Sequence, residues 1–78
     1  MISPEQSRAA RGWLDWSQDE LAKHANVSLS TVRDFEKGRR MPIPNNLEAL
    51  RHALERAGIR PTFRKEKPAG IEASQVPP

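Results

Sequence analysis

Apolar residues recur at helical spacing in four stretches, and each stretch is preceded by a helix-start signal. The first signal is Ser3-Pro4-Glu5-Gln6, with Ser3 as cap, Pro4 at the first helical position and Gln6 completing a capping box. It predicts a helix whose inward residues are Ala10, Trp13 and Leu14. Gly12 within it costs about 1 kcal/mol relative to Ala, and close packing against a neighbour would account for it. The second signal, Ser17-Gln18-Asp19-Glu20, is again a capping box, with Trp16 and Leu21 at staple spacing and Leu21, Ala22 and Ala25 on one face. The third is Ser28, flanked by Val27 and Val32; Thr31 stands where a reciprocal Glu would be, so this cap is weaker. Val32 and Phe35 face inward, Leu29 lies at the boundary, and Ser30, Arg33, Asp34 and Lys37 face outward.

Only Ala25-Asn26-Val27 separates the second helix from the third. So sharp a turn needs one residue with positive φ, and Asn is the most tolerant after Gly. Ala22 supplies the small side chain that two steeply crossing helices need where they touch. Two short helices across so short a break read as a helix-turn-helix, whose second helix is able to enter a DNA groove. Met41-Pro42-Ile43-Pro44 then reads as an extended connector, because residues before proline avoid helical geometry. A fourth helix is expected from Asn45 or Asn46 to Ala57, capped by Asn45 with Glu48 at box spacing. Its stripe is Leu47, Leu50, Ala53, Leu54 and Ala57; Gly58 ends it, and Ile59 folds back on Leu54.

From Ile59 the pattern alternates loosely, as an edge strand does, and a second short segment follows at Ala69–Ala73. The two would form a small hairpin or pair between two subunits, and Pro61 keeps any strand there short or peripheral. Ser74 to Pro78 reads as a frayed end.

The chain resembles the phage-repressor and Cro-type helix-turn-helix family, also called xenobiotic-response-element-like. The resemblance rests on Gln18, Leu21, Ala22, Val27-Ser28, Thr31-Val32, Phe35-Glu36 and Gly38-Arg39-Arg40 with Pro42, and runs over about residues 3–59. It implies that Gln18 starts the scaffold helix and holds a phosphate, and that Leu29, Ser30, Arg33 and Asp34 face base edges. It also implies that Glu36 anchors the fold by pairing with Arg8 or Arg11. Three positions depart from the family pattern. Asn26 and Asp15 stand where Gly is common, and Asp34 puts a carboxylate on the reading face, repulsive to phosphate but able to accept from cytosine N4.

The expected architecture is therefore an all-α, compact four-helix, lambda-repressor-like domain over residues 1–59, with an extended or β-like tail over 60–78. At 78 residues with no cysteine, neither disulfides nor a thiolate metal site can staple it, so stability rests on helix packing, helped by dimerisation. No apolar run is long enough for a bilayer and no basic-then-apolar leader opens the chain, which points to the cytoplasm. A net charge of +3 suits an anionic partner, and Arg33, Lys37, Arg39 and Arg40 cluster against Asp34 and Glu36. A second basic group, Arg60, Arg64, Lys65 and Lys67, reads mainly as a solvated face.

His24 and His52 have no helical spacing that would pair them on a metal, the serines serve as caps, and no glycine loop cradles a phosphate; no enzyme, cofactor or metal site is expected. Trp13 and Trp16 read as core residues rather than base-stacking ones. The functional expectation is a DNA-binding regulator that reads the major groove with residues 28–37. Arg33 would pair with guanine, Ser30 would read a base edge, and Leu29 would touch a thymine methyl. Gln18, Ser28, Lys37, Arg39 and Arg40 would hold phosphates. So small a module would bind double-stranded DNA as a homodimer, through the outer face of the fourth helix and Ile59–Phe63. The alternative is a protein-interaction module on the same scaffold, an antiactivator-like inhibitor that grips another regulator without touching DNA.

Overall fold

The computed structural model describes residues 1–74, in the order α1 (Pro4–Leu14), α2 (Gln18–Ala25), α3 (Leu29–Glu36), α4 (Pro44–Arg56), β1 (Ile59–Arg64) and β2 (Lys67–Ala73). The four expected helices are present. The all-α expectation is corrected, because the segment after α4 is a two-stranded antiparallel hairpin within one chain. No helix among the described residues is long and apolar enough to cross a membrane.

The start signals act as their chemistry requires. Ser3 and Ser17 each accept from the backbone N–H three residues on, and Gln6 and Glu20 each accept from the cap N–H in return. Ser28 Oγ accepts from the Thr31 N–H without a reciprocal partner. The fourth start differs from expectation. α4 begins at Pro44, one residue before Asn45, with Ile43 at the cap position and no side-chain cap bond. Pro44 decides this, since its fixed φ suits the first helical position and it has no N–H to satisfy.

Each helix ends in a left-handed residue: Asp15 (φ 59°), Asn26 (φ 58°), Gly38 (φ 74°) and Gly58 (φ 98°). After α1, α2 and α3 the chain closes with a six-to-one bond, Trp16 N–H to Arg11 O at 2.9 Å, Val27 N–H to Ala22 O at 3.0 Å and Arg39 N–H to Asp34 O at 2.9 Å. Asp15 and Asn26 therefore do what glycine does elsewhere, within the tolerance of short polar side chains for this region.

Leu21, Ala22, Ala25, Val32, Phe35, Leu47, Leu50, Ala53 and Leu54 form the core with Ala10 and Ile59, and Ile2, which no periodicity marks, joins them. Leu14 and Trp16 pack against it from the side, as expected. Trp13 does not: it is 68% exposed. α1 ends one residue later at Leu14, so its last turn has room for one inward residue, and Leu14 takes that place. Gly12 is likewise free of the expected neighbour, with nothing within 4 Å of where a Cβ would stand.

In the hairpin, Ile59 pairs with Ala73 and Pro61 with Ile71, with an irregularity between Thr62 and Phe63. Lys65 and Glu66, both at positive φ, make the two-residue turn. Pro61 is tolerated because β1 has a partner strand on one side only. The Gln6 amide donates to Thr62 O at 2.7 Å and Gly70 O at 2.8 Å, fastening the hairpin to α1. Ser74, the first residue of the expected frayed end, donates its N–H to Gly58 O; the remainder of that stretch, 75–78, lies outside the described residues.

The open space beside Gly12 gives a direct expectation. Gly12→Ala fills no occupied volume and removes a helix-interior glycine, so it should stabilise by about 0.5–1 kcal/mol and raise the thermal midpoint by a few degrees. A melt with an unchanged or lower midpoint would contradict the reading of Gly12 as a site without a packing role.

Candidate nucleic-acid interface

α3 sorts its residues by face. Val32, Phe35 and Glu36 are buried, Ser30 and Arg33 are exposed, and Leu29 and Asp34 are half-buried. Leu29 leans on the core and keeps only part of its side chain outside. Ser30 Oγ lies 3.2 Å from Ser28 Oγ, and Ser28 Oγ lies 2.8 Å from Thr31 Oγ1. The hydroxyls that open α3 therefore form one linked group at its exposed end.

The other end of α3 is fixed by Glu36, whose side chain is 1% exposed. Its carboxylate accepts from Arg11 Nη2 at 2.7 Å and Nε at 2.9 Å, from Ser7 Oγ at 2.6 Å and from Gln18 Nε2 at 3.1 Å. Arg11 also donates to Trp16 O at 3.0 Å, and Arg8 donates to the backbone oxygen of Glu36. Of the two arginines left open for the Glu36 pairing, Arg11 takes the carboxylate and Arg8 the main chain. Ser7 was not foreseen in this role; a serine one turn before Arg11 on the same helix is the only sequence signal for it.

Burial is the largest influence on the Glu36 carboxyl and by itself would push it up. The hydrogen bonds from Arg11, Ser7 and Gln18, with the charge of Arg11, outweigh that and hold it below the ordinary carboxylate range. In return Glu36 holds the Arg11 guanidinium more firmly protonated.

Gln18 heads α2, its amide turned toward Glu36 with one of its two N–H groups. Lys37, Arg39 and Arg40 are exposed, as is Arg33, and none of the ion pairs among the described residues includes any of them. The structure thus gathers four unpaired cations on α3 and the loop after it. In contrast, the outer face of α4 neutralises itself: Arg51 bridges Glu48 at 2.7 Å and Glu55 at 2.8 Å. On the hairpin, Arg60 pairs with Glu72.

One feature near α3 had no clear signal in the sequence. A groove runs between Ser30, Thr31 and Asp34 on one side and Met41, Ile43 and Asn46 on the other. Met41 and Ile43 are 60% and 64% exposed, with half-buried Pro42 between them. An extended segment alternates its side chains, so turning Pro42 inward turns its neighbours out. His24, exposed near the end of α2, stacks on Trp16 with ring centroids 4.1 Å apart and planes within 2°. No cluster of three or more metal-ligating side chains occurs among the described residues.

A family model described as helix-turn-helix matches residues 8–60, which span all four helices except the first turn of α1. No curated protein matches the chain.

The buried carboxylate makes stability depend on acidity. Glu36 stays ionised in the folded chain at pH values where the unfolded chain, with glutamate near about 4.3, takes up a proton. Its contribution is therefore complete above about pH 5 and is lost as pH falls through and below the ordinary carboxylate range. Glu36→Ala should cost about 3–5 kcal/mol, since it leaves Arg11 without its partner. Denaturant midpoints measured between neutral and acid pH should fall steeply for the parent chain and less steeply for Glu36→Gln; equal slopes would show that Glu36 does not carry the acid sensitivity.

Proposed function

We propose that this chain, which belongs to the Cro-type helix-turn-helix family of DNA-binding transcription regulators, reads the major groove of a specific duplex site with α3, as a homodimer. The observation that carries the reading is the division of α3 into a buried face and an exposed polar face, flanked by cations that no carboxylate neutralises. A helix held only by its fold-facing side leaves Ser30 and Arg33 outside, where a base edge is within reach.

In this reading Arg33 makes a paired contact to guanine O6 and N7, with Ser30 beside it. The exposed part of Leu29 touches a thymine methyl. Gln18, through its remaining N–H, and Ser28, Lys37, Arg39 and Arg40 hold phosphates and set the register. Two copies would place two α3 helices about one helical turn of DNA apart, because a single module this small covers too little surface for a specific complex. Half-exposed Phe63 on β1 supports the hairpin side of the expected dimer surface.

Duplex binding measured against salt tests the class. A protein gripping several phosphates should weaken steeply, with a log–log slope of about −0.9 per phosphate held. No binding even at low salt would move the chain to the alternative, a protein-interaction module on the same scaffold.

The two kinds of arginine should behave differently. Arg33→Ala should flatten preference at one base position, at a cost of roughly 1–3 kcal/mol on the best site, while Arg40→Ala should weaken all duplexes alike and shallow the salt slope by about one unit. The two variants compared over a panel of singly substituted duplexes decide the matter, and matching preference profiles would refute the division of labour.

A further inference from the structure

The groove between α3 and the segment entering α4 holds two features that the fold itself does not use. The first is the Asp34 carboxylate. It is half-buried, and no donor among the described residues hydrogen-bonds to it or pairs with it, although Arg33, Lys37, Arg39 and Arg40 all lie within six residues of it in the chain. The second is the ridge of Met41 and Ile43, two large apolar side chains left mostly in water on the same groove. A carboxylate without a donor and an apolar ridge without a cover meet in one place, and Arg40, which is in none of the ion pairs among the described residues, lines the same groove.

Arg40 in the groove, with exposed Arg33, Lys37 and Arg39 nearby in the chain, favours a polyanion, and Ser30 and Asp34 belong both to the groove and to α3 outside its buried face. The occupant is therefore duplex DNA, and the chemistry of the groove selects among base edges. An ionised carboxylate only accepts hydrogen bonds. In the major groove guanine presents two acceptors, O6 and N7, and thymine presents O4, so all of these oppose it. Adenine offers N6 as a donor, but its N7 acceptor lies beside it, against the second carboxylate oxygen. Cytosine offers the N4 donor, and the neighbouring atom on its edge is the C5 carbon, which suits an apolar wall.

We propose that this groove is the specificity pocket of the reading surface and takes the edge of one cytosine, with Asp34 accepting from N4 and the Met41–Ile43 ridge against C5. The inference rests on the DNA-binding reading above and adds a base, a residue and a wall to it. It also gives the acidic residue on α3 a purpose: Asp34 rejects three of the four bases at one position. Because the ridge faces C5, a methyl group there adds buried apolar surface instead of a clash, so the pocket senses cytosine methylation.

Selection of duplexes from a random pool, with the full chain and with Asp34→Asn, tests the first half. The parent chain should enrich a site with one fixed cytosine in each half-site. Asp34→Asn should lose that cytosine, shifting toward adenine because an amide both donates and accepts, and should bind the parent site roughly tenfold or more weakly. A site unchanged at every position would overturn the proposal while leaving DNA binding intact, whereas a parent chain that enriches no duplex removes the reading beneath it. The second half is tested with the enriched site carrying 5-methylcytosine at that position. Methylation should tighten binding by about fourfold, the worth of one buried methyl group, and Met41→Ala/Ile43→Ala should abolish the difference. Equal or weaker binding of the methylated site by the parent chain would remove C5 from the ridge and overturn the assignment. Thermal melts of the variants separate loss of contact from loss of fold.

Discussion

The rest of the molecule depends on the burial of one carboxylate. Glu36 comes from the last turn of α3 and collects Ser7 and Arg11 from α1 and Gln18 from the start of α2. A carboxylate taken out of water without partners would cost several kcal/mol, so these donors are a condition of the fold and not an embellishment. They also set direction. The apolar core seats α3 through Val32 and Phe35, both fully buried. The ion pair with Arg11, made through two nitrogens on one plane, fixes the angle at which the outward side leaves the surface. Rigidity at one end of α3 is thus a prerequisite for any discrimination by the residues along it.

Most of this was readable in the chain because it was written in local terms. Ser3, Ser17 and Ser28 begin helices through bonds that span three residues, and Asn26 and Asp15 end them through a backbone conformation few side chains accept. The periodicity of Leu21, Ala22, Ala25, Val32 and Phe35 placed the core. The errors share a cause too. Trp13 was assigned inward by size and spacing, but burial at a helix end depends on which residue meets a neighbour, and Leu14 does. Asn45 had the composition of a cap, and the proline before it had the stronger geometric claim. The bonds of Ser7 to Glu36 and of Gln6 to the hairpin, and the burial of Ile2, were invisible because the partners lie 29 and 64 residues away, or in the packed core.

Of the candidate interface, the cations and the outward side of α3 could be read in advance, since charge needs no neighbour to be recognised. The groove beside Asp34 could not. It arises from the alternation Met41 out, Pro42 in, Ile43 out, and from where the loop returns relative to α3. Sequence showed an extended connector there and nothing about what it faced. The exposure of two apolar residues in so small a domain is a cost of roughly 1.5–3 kcal/mol each relative to burial, and only the folded surface shows that both costs fall in one place.

The clasp made by Gln6 has a consequence for how the chain is made. Its amide, on a buried residue, donates to carbonyls on both strands of the hairpin, so a residue of α1 waits for acceptors 56 and 64 residues further along the chain. Until the hairpin has formed, the Gln6 amide has neither of its protein acceptors and Ile59 lacks its strand partner Ala73. Closure of the hairpin on α1 is consequently a late, long-loop event in folding, and a chain that has formed only its four helices lacks both contacts.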